Sequence, residues 1–244
     1  MVCSVLSATA LALGLAGCGL APPVPIELQD NHVPSVAVRA SIHPMAWSRG
    51  DRPGPGIEVG YERYRAGGTH RLATGEDLVF EGQTVSGPDD VAQDAHVQRV
   101  YLAYAHLFQL GANVEFEPFG GFVWNDTRVR LTPSNSALRP EYQLRKWGAI
   151  GGVSPRWRVS QALALELRLT ALGRDFRYAS TNYDLGGLWN PRPTLGLRLG
   201  YAWRSDDYDG RDGSIGGDGS GNPAVANMLR LKTRGPSFSL VLGF

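Results

Sequence analysis

The C-terminal stretch Gly235-Pro-Ser-Phe-Ser-Leu-Val-Leu-Gly-Phe244 decides the fold. From Phe238 onward large apolar residues recur at every second position: Phe238, Leu240, Leu242 and Phe244. Ser239, Val241 and Gly243 between them are small. Successive side chains of a strand point to opposite faces, so a period of two marks a strand with one apolar face. A helix would group residues three and four apart instead.

The same period returns upstream. Leu163, Leu165, Leu167 and Leu169 alternate with Ala164, Glu166, Arg168 and Thr170. Leu195, Leu197, Leu199, Tyr201 and Trp203 alternate with Gly196, Arg198, Gly200, Ala202 and Arg204. Further strands are predicted over 36–42, 57–62, 96–110, 114–124, 142–159, 182–189 and 229–232. In the last strand the apolar positions are odd at Leu229 and Leu231 but even at Phe238 and beyond. That mismatch predicts a bulge at Gly235-Pro236 that absorbs one residue.

Composition agrees with an all-β chain. Gly (31) and Pro (16) are plentiful and charged residues make up only 19%, a balance that favours strands and turns over helices. No run of eighteen apolar residues exists beyond the N-terminus, which excludes helical membrane spans. A net charge of +1 offers no basic patch for a nucleic-acid partner. The two cysteines, Cys3 and Cys18, both lie in the first eighteen residues, so no thiol serves a disulfide or zinc site in the folded body.

Val5 to Leu15 is an apolar run of signal-peptide length. It leads into Leu15-Ala16-Gly17-Cys18, which resembles the lipobox of bacterial lipoproteins. That resemblance implies acylation of Cys18 and export from the cytoplasm. Residues 1–17 then read as a signal peptide, 18–34 as a Pro-rich tether, and 35–244 as one barrel domain.

A closing strand that ends on an aromatic is similar to that of bacterial outer-membrane β-barrels. The resemblance implies an antiparallel up-and-down transmembrane barrel of eight strands, with ten as the alternative. It also implies outer-membrane lipids as partners and recognition of Phe244 by the barrel-insertion machinery. Short turns (111–113, 160–161, 190–193) alternate with longer loops (67–95, 125–141, 174–181, 205–226), as at the two unequal ends of such barrels. Trp124, Trp157, Trp189, Tyr201 and Trp203 fall towards strand ends, where interfacial girdles form. The opposite face becomes the lumen: Arg39, Glu58, Glu62, Arg99, Glu115, Glu117, Arg156, Arg158, Glu166, Arg168, Arg198, Arg204, Arg230 and Lys232.

Candidate chemistry is sparse. Asp206, Asp207, Asp209, Asp212 and Asp218 crowd the last loop, but their spacing completes no EF-hand and no bidentate Glu follows. They read as a solvated loop, and no metal or cofactor is expected. Ser41/His43 and Asp94/His96 are His pairs of the kind hydrolytic barrels use. Two residues along one strand face are far apart unless the side chains reach, and no nucleophile motif accompanies them. The expected role is structural, adhesive or ligand-binding through external loops. An enzyme modifying lipid A or phospholipid, and a narrow channel, are the alternatives.

Overall fold

The computed structural model describes residues 26–30, 32–42, 54–80, 83–174, 178–192, 194–209 and 228–243. Every regular element among them is a strand. In chain order these are β1 (Ile26–Asp30), β2 (Ser35–Ile42), β3 (Pro55–Leu72), β4 (Asp77–Phe80), β5 (Gln83–Ser86), β6 (Asp89–His106) and β7 (Phe108–Gln109). They continue with β8 (Val114–Pro133), β9 (Glu141–Arg158), β10 (Leu163–Arg174), β11 (Tyr178–Arg192), β12 (Leu195–Asp209) and β13 (Met228–Gly243).

Nine of them form a closed ring, β2-β3-β6-β8-β9-β10-β11-β12-β13, in which β13 returns to β2. All neighbours are antiparallel except at the closure, where Ser237↔Ser35 to Gly243↔Ser41 pair in parallel. An odd count requires this, because strands that alternate in direction leave the first and last running the same way. The expected antiparallel barrel of eight or ten strands is therefore corrected to a mixed barrel of nine. The expected strand 36–42 is part of the wall, within β2. Within the expected loop 67–95 the chain completes β3, forms the small β4–β5 hairpin and begins β6. Off the ring, β1 pairs in parallel with β13 further up, from Ile26↔Leu229 to Asp30↔Thr233.

We call the end where β13 finishes the lower end. In the lower part of the wall the outward residues are apolar: Val36, Val38, Ile57, Val59, Leu102, Phe122, Leu165, Leu185, Leu199 and Phe238 are all more than a third exposed. Higher up the outward residues turn polar, as at Arg63, Arg65, Gln98, Asp126, Arg128, Arg145 and Arg234. The inward residues change in the opposite sense. Charged side chains fill the lower lumen, and Val91, Val97, Val129, Leu131, Tyr142, Leu144, Leu229 and Leu231 pack the upper lumen as a buried apolar core.

This inversion occurs without any change of register. The fifteen β12–β13 pairs from Leu195↔Leu242 to Asp209↔Met228 are unbroken, and odd residues of β13 face inward from Leu229 through Ser239. The bulge expected at Gly235-Pro236 is thus absent; the strand keeps its parity while its surroundings swap. Leu229 and Leu231 are core, and Arg230 and Lys232 point outward.

Outward aromatics lie towards the two ends of the apolar band. Trp124 pairs with Trp147 across β8 and β9, with ring centroids 5.3 Å apart. Tyr183 pairs with Trp203 across β11 and β12. Trp157 and Trp189, each about half exposed, lie at the lower end of the band. From Val114 to Trp124 the apolar stripe of β8 covers ten residue steps, roughly 25 Å of height for a strand tilted about 40°.

Candidate functional site

The lower lumen gathers charge from every wall. Glu166 on β10 is fully buried. Its carboxylate accepts hydrogen bonds from Arg39 Nη2 of β2 at 2.9 Å and Arg156 Nε of β9 at 2.8 Å, and Arg198 Nε of β12 stands 3.2 Å away as an ion-pair contact. Arg156 also reaches Glu117 at 3.0 Å, and Arg158 pairs with Glu115 at the lower rim. Arg198 bridges to Asp184 of β11 at 2.8 Å, which also accepts from the Ser237 hydroxyl at 2.8 Å.

A second knot lies across the lumen. Glu58 of β3 accepts from Arg168 Nη2 at 2.5 Å and from the Tyr101 hydroxyl at 2.7 Å. Tyr101 can lie there because Gly60 faces it: a Cβ on that glycine would meet the ring at 2.1 Å. Arg168 also stacks over Phe119 at 4.0 Å, a cation–π contact that partly replaces lost hydration. Above them Arg204 pairs with Glu62 at 2.9 Å, and Asp206 takes hydrogen bonds from Arg99 and Tyr64.

These contacts use seven arginines (39, 99, 156, 158, 168, 198, 204) and seven carboxylates (58, 62, 115, 117, 166, 184, 206). The balance is what burial demands, since an uncompensated charge out of water costs several kcal/mol. A cavity of about 50 Å³ remains among Arg39, Glu62, Arg168, Asn182, Asp184 and Arg198. Its walls offer both a donor (Arg39 Nη1) and an acceptor (Asn182 Oδ1) unused within the protein, a lining that water solvates. Over this column Asn125, Thr127 and Tyr208 form a last polar layer, the two hydroxyls 2.9 Å apart. The apolar core closes the lumen above it.

Twelve of the fourteen charges assigned to the lumen by sequence do face inward; Arg230 and Lys232 are the exceptions. Asp184 and Asp206 were missed. Asp184 lies within the expected strand 182–189 between Tyr183 and Leu185, whose outward parity already points it inward. Asp206 was read as loop, yet β12 runs on to Asp209 and places it fully buried. Asp207, the next residue, faces outward and pairs with Arg230 at 2.8 Å. Cys18, His43, Asp212, Asp218 and Phe244 lie outside the described residues, as does the side chain of Asp209.

On the outer wall of the upper half, the side chains of Asp94 and His96 span the two-residue spacing and meet at 3.0 Å. Arg65 joins Asp94 at 3.3 Å. Asp94 and His96, with Gln98, Asp126, Arg128, Arg130, Gln143 and Arg145, line a surface groove of about 290 Å³. None of these lining residues is a Ser, Thr or Cys. Glu141 bridges Arg128 at 3.0 Å and Arg130 at 2.7 Å; the hydrogen bond from Arg130 holds its carboxyl below the usual glutamate range. Such cross-strand ion pairs are what a solvated sheet face carries. No group of three or more His, Cys, Asp or Glu side chains placed to hold a metal ion occurs among the described residues.

The fold and its charged lumen define a closed, all-β barrel of nine strands with a polar lower interior. Compared with known proteins, the chain matches no protein family, no curated protein and no solved structure.

Proposed function

We propose that this chain is a bacterial outer-membrane β-barrel that spans the bilayer with its lower half and carries the upper half as a water-exposed extension. The observation that supports this most is the outer wall. An apolar band roughly 25 Å tall, close to the height of outer-membrane barrel bands, is bordered by Trp and Tyr at both ends. Exposed residues such as Phe122 (68%) and Leu199 (67%) are costly in water but favourable in lipid.

In this reading the C-terminus faces the periplasm, Phe244 contributes to recognition by the insertion machinery, and the upper half projects outward. An acyl chain on Cys18 would add a second membrane attachment. The role is structural, adhesive or ligand-binding through the upper half and its loops. A channel is disfavoured because the described upper lumen is packed with Val, Leu and Tyr.

The test is electrophoretic. A closed membrane barrel migrates faster unheated than boiled; absence of that shift, together with extraction by salt alone, overturns the assignment. Planar-bilayer recording is expected to show no conductance.

A further inference from the structure

Outward arginines of the upper half fall into two groups. Most have a carboxylate: Arg65 with Asp94, Arg130 with Glu141, Arg145 with Asp126 and Arg230 with Asp207. Arg63 and Arg234 have none among the described residues, and both are exposed. They occupy the first polar position above the apolar band on their strands, β3 and β13. These are the two strands that flank β2 at the parallel closure. Arg63 pairs in register with Val36, which in turn pairs with Phe238. The link between β1 and β2 crosses beside Arg234, where Val33 N–H donates to the Arg234 carbonyl at 3.0 Å. Beneath the two guanidiniums lie Val36 and Phe238, 53% and 41% exposed.

We propose that this seam binds the phosphate headgroup of an anionic membrane lipid, with Arg63 and Arg234 on the phosphate and Val36 and Phe238 along the acyl chains. The proposal rests on the membrane reading above. The chemistry fits because a guanidinium presents paired N–H donors to phosphate oxygens, and the paired arginines elsewhere already spend theirs on carboxylates. Height fits as well: the outward side chains turn from apolar to basic at the level where headgroups meet hydrocarbon.

Native mass spectrometry of the full chain, released from nanodiscs of mixed phosphatidylglycerol and phosphatidylcholine, tests it. The wild type is expected to retain phosphatidylglycerol over phosphatidylcholine by on the order of tenfold. R63Q/R234Q is expected to lose that preference, R63K/R234K to keep much of it, and R65Q/R145Q, which alters paired arginines, to keep it fully. Heat-modifiable migration of each variant reports that the barrel is intact. A wild type without preference, or an intact R63Q/R234Q barrel that keeps it, overturns the proposal and leaves the membrane reading standing. A chain that enters neither lipid and stays soluble without detergent overturns both.

Discussion

Above Gly235, strand β13 turns Leu229 and Leu231 inward and Arg230 and Lys232 outward. Below it, the same strand turns Ser237 and Ser239 inward and Phe238 and Leu240 outward. Backbone, register and parity are continuous, and only the chemistry of the two faces changes places. Across the barrel β6 does likewise, burying Val91, Ala95 and Val97 above and Arg99 below. Parity is set by the pleat; which parity is apolar records what lies on each side. The upper half is built as a soluble barrel is, and the lower half is its inverse.

The largest effect is expected where the lower half is most dependent on balance. Glu166→Ala strands Arg39, Arg156 and Arg198 without their shared acceptor, at a cost of about 3–5 kcal/mol, read by urea unfolding of the reconstituted protein. Leu131→Ala, fully buried in the upper core, is expected to cost about 2–5 kcal/mol in the same assay by leaving a cavity. If Glu166→Ala were mild and Leu131→Ala severe, the lower network would be dispensable and the contrast between the halves would collapse.

Leu199→Arg, midway along the outward stripe of β12 from Leu195 to Trp203, addresses the outer wall directly. In a bilayer it should cost about 2–4 kcal/mol near the midplane, whereas Arg128→Gln, outward in the polar half, should stay within about 0.5 kcal/mol. Equal, small effects for both would place the band in water. The smallest change is expected from Glu141→Gln, whose exposed pairs with Arg128 and Arg130 should shift Tm by less than about 3 °C. Its carboxyl is lowered in the folded state, so the benefit is present above the unfolded glutamate pKa. It fades as pH falls through the folded value, and the two proteins should melt alike in acid.

Much of the lower half was legible in sequence, because there the apolar parity is long, leucine-rich and uniform. Leu163 to Thr170 gives strand, face and luminal charges in eight residues. The upper half was not legible, since its outward residues are polar and its inward ones include Ala and Thr. Residues 67–72, 89–95 and 125–133 therefore resemble loops in sequence, although they extend β3, β6 and β8. The bulge at Gly235-Pro236 was an error of the same origin: apolar was equated with outward along the whole strand. The count of nine could not be read locally, because the partner of β2 lies at the other end of the chain.

That distance has a consequence for the order of events in folding. Val36 meets Phe238 about 200 residues later in sequence, while β9 and β10 are joined by a four-residue turn, 159–162. Chain closure over the longer span costs about 3 kcal/mol more in configurational entropy, and a ladder of seven parallel pairs must offset it. The seam should be the last part of the wall to form and the first to admit solvent. Hydrogen exchange is expected to reach the amides of Val36 to Ser41 well before those of Glu166 to Leu172.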